Sequence, residues 1–190
     1  MRLRPALSWL LVPVSIALAS GPNSYRPRIV DWSGPVSVPA FPADGPAPQA
    51  VLLRYQRWSS ASGRVENMLD EACGVVFTHR VQMELSLAGG RTLDVSSREG
   101  NEARLLGAYD GVEDFGGTSG LSLSSSGGET TTLVLDDPAD VAEFAGRDGV
   151  VPLWVIATGE AAFSGPESLR QEVEVRAGVR VTVEYVASAP

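Results

Sequence analysis

Lysine is absent: all 15 basic residues of this 190-residue chain are arginine. A Ser-Lys catalytic dyad is therefore impossible, and no serine sits in a G-x-S-x-G elbow. Arginine suits bidentate binding of carboxylate or phosphate. These arginines are scattered, however, and their use beside abundant Ala, Gly, Val and Pro reads as GC-rich coding. Histidine occurs once, at His79, so every triad and most zinc sites would have to pass through that residue. Counting by twos puts it on the face of Phe77 and Val81, as a core or rim residue. Cysteine also occurs once, at Cys73, which rules out an internal disulfide. Its neighbours Asp70 and Glu71 would raise a thiol pKa, so a buried, inert side chain is expected. Cys73 is too far along the chain to carry a lipid anchor at a leader junction.

The chain begins with Arg2 and Arg4, an apolar run over residues 6–19, and Ala17-Leu18-Ala19 before Ser20. A charged start, a short apolar middle and a small-residue exit are the parts of a secretory signal peptide. The run is about fourteen residues, short of the roughly 20 that cross a bilayer as a helix. Cleavage after Ala19 is expected, with the product secreted to the periplasm or the exterior. Removing 19 of 190 residues leaves 171, enough for one domain with a sizeable core. Two of the arginines leave with the leader, so 13 face 23 acidic residues. That acidic balance argues against nucleic acid or anionic lipid as partners.

Seven prolines fall between Gly21 and Pro48. Residues 20–34 are expected to form a flexible segment, with a short edge strand over residues 36–41. Beyond Pro48 the pattern has period two. Phe77, Val81, Met83, Leu85 and Leu87 share one face, with Thr78, Arg80, Gln82, Glu84 and Ser86 on the other. A strand over residues 75–87 would measure roughly 44 Å, so a bulge or break is expected in it. Val179, Val181, Val183 and Tyr185 mark a closing strand, and weaker runs occur at 51–58, 64–66, 92–95, 121–124, 130–135 and 172–175. The run 150–157 is apolar on both faces and predicts a central or dry core strand, with Trp154 in the core. Glycine pairs and Asp-Pro or Gly-Pro steps, Gly127-Gly128 among them, are expected to turn between the runs. The sole predicted helix spans 138–145, with Asp137 as N-cap, Pro138 in its first turn and Gly146 beyond its end. The expected fold is an all-β antiparallel sandwich, jelly-roll-like or Greek-key, over residues 35–187.

Candidate chemistry is sparse. Asp110, Glu113 and Asp114 form one acidic loop, and Asp136, Asp137 and Asp140 another. Both are candidate calcium ligands by residue type, yet neither has the EF-hand spacing, and solvated turns or a helix cap account for them. Trp32 and Trp58 are candidates for stacking on a sugar, Trp58 because alternation breaks near it. Glu172, Glu174 and Glu184 alternate outward beside Arg170, Arg176 and Arg180, which reads as charge pairing between strands and not as a glycosidase pair. No catalytic residue and no cofactor are expected.

The order of motifs resembles the choice-of-anchor E domain family of exported bacterial proteins. The likeness runs over about 155 residues, from Asp31-Trp32-Ser33 and Val38-Pro39-Ala40-Phe41 through the strand at 50–55 to Gly63-Arg64-Val65-Glu66-Asn67. It continues in Ala139-Asp140-Val141-Ala142-Glu143-Phe144-Ala145-Gly146 and ends in the Val-Thr-Val-Glu-Tyr strand at 181–185. The family has Phe-Asp where this chain has Phe41-Pro42. It implies an extracellular β-rich domain without enzymatic activity, whose members carry different C-terminal sorting signals. No such signal follows Tyr185, so the expectation is a released monomer, or one held by an extracellular protein or polysaccharide.

Overall fold

The computed structural model describes residues 24–42, 48–145 and 149–187. The expected leader, Gly146 and Asp148 lie outside the described residues. The described elements are β1 (Ser24–Ile29), β2 (Trp32–Pro39), β3 (Pro48–Asn67), β4 (Cys73–Leu87), β5 (Thr92–Leu106), β6 (Gly120–Leu135), α1 (Pro138–Phe144), β7 (Val150–Ser164) and β8 (Leu169–Ala187). The strands form two four-stranded antiparallel sheets, ordered β1-β8-β3-β6 and β2-β7-β4-β5. First pairs with last, second with seventh, third with sixth and fourth with fifth. That nesting is one long hairpin rolled into two sheets, so the fold is a jelly roll.

Several short runs in the sequence are single long strands. Residues 51–58 and 64–66 belong to the 20-residue β3, because Ser59 to Gly63 keep their ladder to β8 from Ala177 to Val173. Gly127-Gly128, expected as a turn, lies inside β6 opposite Ser59 and Trp58. The described part of the segment 20–34 holds strand: β1 pairs with β8, and β2 begins at Trp32. Proline offers no ladder donor, and the β1 register shifts between Tyr25 and Arg28, around Pro27, on an edge strand. β2 is an edge strand as expected, and β4 shows its irregularity against β5 between Leu85 and Ser86.

Alternation fills the space between the sheets. Val51, Leu53 and Tyr55 of β3, Leu85 of β4, Leu153 and Val155 of β7, and Val179 and Val181 of β8 are all buried. Each such side chain contributes about 1.5–3 kcal/mol of transfer free energy. The helix packs one end of this core onto β3 through Val141 and Phe144. Asp137 caps it, accepting from the Ala139 amide at 2.8 Å, with Pro138 behind. Beside it the buried Tyr185 donates its hydroxyl to the Pro39 carbonyl at 2.6 Å and meets Phe41 edge-on at 5.0 Å.

β7 corrects an expectation. It is central, between β2 and β4, but only one of its faces is covered. Trp154 is 44% exposed on the outer face with Ile156, and so is not a core residue. Across the sheet Ile156 faces Glu84, which faces the exposed Val95 of β5, so a carboxylate separates the two open apolar side chains.

Candidate functional site

Residues paired directly across an antiparallel ladder share a face. On β5 the residues paired with the buried Leu85, Met83, Val81, His79 and Phe77 are Asp94, Ser96, Arg98, Gly100 and Glu102. On β6 those opposite Tyr55, Arg57, Ser59 and Ala61 are Thr131, Glu129, Gly127 and Ser125. The inner faces of both edge strands are thus polar, and the sandwich opens between them into a cleft of about 340 Å³. Val81 and Met83 supply apolar surface, while Ser59, Ser96, Arg98 and Glu129 supply polar groups.

Arg57 holds this edge together. Its side chain is 10% exposed, and Nη1 donates to Asp94 Oδ2 at 2.9 Å and to Thr131 Oγ1 at 3.1 Å. Nη2 pairs with Glu129 Oε2 at 2.7 Å. The guanidinium carbon lies 5.4 Å from the centre of the Tyr55 ring. Burial drives the Tyr55 phenol above its ordinary range, with Arg57 opposing the shift. One cation on β3 therefore joins β5 of the facing sheet to β6 of its own. Arg98 makes a second crossing: Nη2 donates to the Ser126 carbonyl at 2.8 Å, and its guanidinium fills the space above Gly127 where any side chain would stand.

Glu129 is the carboxylate that lines the cleft, and Asp94 meets Arg57 beside it. Both engage one guanidinium, which positions a cation and does not set an acid against a base. His79 is buried and stacked on Phe77 at 5.8 Å, with its ring over Gly100. Its Nδ1 has no hydrogen-bond partner, and burial, then Arg98, lowers its pKa. Cys73 is buried, its thiol pKa raised by burial and by Glu71.

The candidate calcium ligands stand apart in two loops. Asp110 accepts from the Val112 amide, Asp114 from the Gly116 amide, and Glu113 pairs with Arg170. Asp137 is the helix cap, Asp136 is exposed, and the buried Asp140 pairs with Arg91 at the turn between β4 and β5. Among the described residues no group of three His, Cys, Asp or Glu side chains is arranged to hold a metal ion. Trp32 is half-buried against the core, and Trp58 is half-buried with its indole over Gly178 of β8. Glu172 pairs with Arg64 and Glu184 with Arg54 across the ladder, as the charge pattern suggested, whereas Glu174 pairs with Arg176 of its own strand.

Sequence reasoning missed Arg57, Asp94 and Glu129, which lie far apart in the chain. The available signal was Arg57 at an inward position of an otherwise apolar alternation from Val51 to Tyr55.

No family model matches the chain. No curated protein matches it. Among solved structures it is similar to a chain of infectious bursal disease virus Gx strain, at 12% identity and a TM-score of 0.18, covering 95% of this chain and 43% of that one. A chain of the Gt strain of the same virus gives 12% identity and a TM-score of 0.16, covering 86% and 43%. The protein thus spans less than half the length of either, and likenesses this slight say nothing of its role. No helix of the described residues is long and apolar enough to cross a membrane.

Proposed function

We propose that this protein is an exported, non-enzymatic jelly roll of the choice-of-anchor E type, with a structural or binding role outside the cytoplasm. The observation that carries the reading is how the groups able to do chemistry are used. His79 is stacked in the core, and Asp94 and Glu129 are tied to Arg57. What the cleft offers a ligand is contact and hydrogen bonding, which is binding chemistry. The arginines and apolar run before Ser20 support export. Expression of the full chain in a bacterial host tests this: mature protein beginning at Ser20 is expected outside the cytoplasm. Unprocessed chain retained in the cytosol overturns it.

A second reading, a carbohydrate-binding module, is favoured by Trp154. An indole 44% exposed on an open sheet face, beside Ile156, offers the flat apolar surface on which a sugar ring stacks. Retardation in gels containing neutral polysaccharide, lost in Trp154→Ala, is the expected behaviour. Equal mobility of the two proteins in every polysaccharide overturns it.

A further inference from the structure

Two polar groups of the cleft between β5 and β6 are left without a matching partner. Ser59 projects inward from β3 and is only 7% exposed, yet its hydroxyl makes no hydrogen bond among the described residues. It lines the cleft and opens onto it, unlike the sealed hydroxyl of Tyr55. Arg98 reaches across from β5, donates Nη2 to the Ser126 carbonyl at 2.8 Å, and stands over Gly127. Gly127 is the residue paired with Ser59 across the ladder, so guanidinium and hydroxyl occupy neighbouring positions on one face. No carboxylate pairs with Arg98 among the described residues, and the two nearby acids, Asp94 and Glu129, both go to Arg57.

The main-chain bond and the missing side chain at Gly127 hold this guanidinium in place before any ligand arrives, which lowers the ordering cost of binding. A guanidinium only donates, and a hydroxyl beside it adds another donor, so the group they match is a carboxylate. Glu129 stands two residues along β6 and disfavours a second negative charge, as on a phosphate dianion. The remaining lining asks for a polyol. Val81 and Met83 give an apolar floor, Ser96 gives its hydroxyl, which donates to the Met83 carbonyl at 3.4 Å, and Glu129 has Oε1 beyond the Oε2 that meets Arg57. The volume of about 340 Å³ is near the lower bound of small-molecule sites, roughly 300 Å³. We propose that the cleft binds a uronic acid, with its carboxylate on Arg98 and Ser59, its ring on Val81 and Met83, and its hydroxyls toward Ser96 and Glu129. A free uronate and a unit of an acidic polysaccharide share this chemistry. The inference rests on the binding role proposed above and gives it a ligand class, on a surface separate from Trp154.

The test is calorimetric titration of the full chain with sodium D-glucuronate and sodium D-galacturonate, and in parallel with D-glucose, D-galactose and sodium acetate. One uronate is expected to bind one-to-one, at least about tenfold tighter than its neutral sugar and than acetate. A trigalacturonate that binds more tightly than the monomer identifies a polysaccharide as the source, and one that binds no better identifies the free acid. Arg98→Gln, a change at an exposed side chain, is expected to weaken uronate binding at least about tenfold and to erase the preference over the neutral sugar. Ser59→Ala is expected to weaken it about fivefold. Absence of binding of both uronates to the unaltered chain, a result that needs no variant to fold, overturns the proposal. So does equal affinity in Arg98→Gln. Uronate binding that survives in Arg98→Gln and is lost in Trp154→Ala overturns the cleft assignment and leaves the binding role standing.

Discussion

Arg57 on β3 and Asp94 on β5 face each other across the two sheets, Nη1 to Oδ2 at 2.9 Å, at the edge where both inner faces turn polar. Through most of the core the sheets meet by apolar contact. Here a guanidinium spans the gap and is held by Asp94, Thr131 and Glu129. Removing one partner strands the other in a poorly hydrated place. Arg57→Met is therefore expected to cost about 2–3 kcal/mol, at the low end for a buried pair because Glu129 reaches solvent. The double change Arg57→Met with Asp94→Leu is expected to recover most of it. Urea unfolding of the two singles and the double measures the coupling, and additive losses would show that the pair does not act as a unit.

Gly120 is where the acidic loop lands. A methyl group there would meet the main chain of Phe115 and Gly116, which cannot rotate away as a side-chain tip would. Gly120→Ala is expected to destabilise by about 3 kcal/mol and to expose the loop. Limited proteolysis should then cut within residues 109–118, releasing the fragment ending there far sooner than in the unaltered chain. Unchanged cleavage would mean that the loop is not held by this contact.

The readability of the sequence followed the location of water. β4, β8 and the first half of β3 are apolar on one face because that face is dry, and their alternation was visible. So was the helix, since Asp137 and Pro138 carry start signals that need no tertiary context. β5 was seen only at its first residues. Its inward positions are Asp94, Ser96, Arg98, Gly100 and Glu102, so it is polar on both faces and has no period to read. The same holds for the middle of β6, where Gly127 sits in the ladder because Arg98 occupies the space above it. The cleft was hidden for the same reason: the residues that hide these strands from pattern reading are the ones that line it. β7 misled in the other direction, since an apolar run does not reveal whether its second face is covered.

That uncovered face makes a stability prediction. Trp154 is nearly half exposed, and the side chains beside it, Ile156 and the more distant Val95, are open too. Trp154→Ala leaves no cavity in the core, and its effect on urea unfolding is expected within about 0.5 kcal/mol, as for ordinary surface changes. Val155→Ala, one residue on but fully buried, is expected to cost about 2 kcal/mol. Comparable losses in the two would place Trp154 against a covering partner.

His79 sets the response to mild acid. Burial comes first, and Arg98 second, in holding its imidazole below the ordinary value of 6.5. The native protein therefore refuses a proton that the unfolded chain accepts. The sign follows from linkage: where the unfolded state binds more protons, stability rises with pH. The His79 contribution is complete above pH 6.5 and is lost as the pH falls below that value, until the lowered native pKa is reached. Carboxylates titrate lower and act on a different part of the curve. His79→Gln cannot take the proton and gives up the stack on Phe77. It is expected to be less stable than the unaltered chain at pH 7.5, with the gap narrowing steadily toward pH 5. Urea midpoints of both proteins between pH 5 and 7.5 measure this, and parallel curves would show that His79 takes its proton equally in the native and unfolded states.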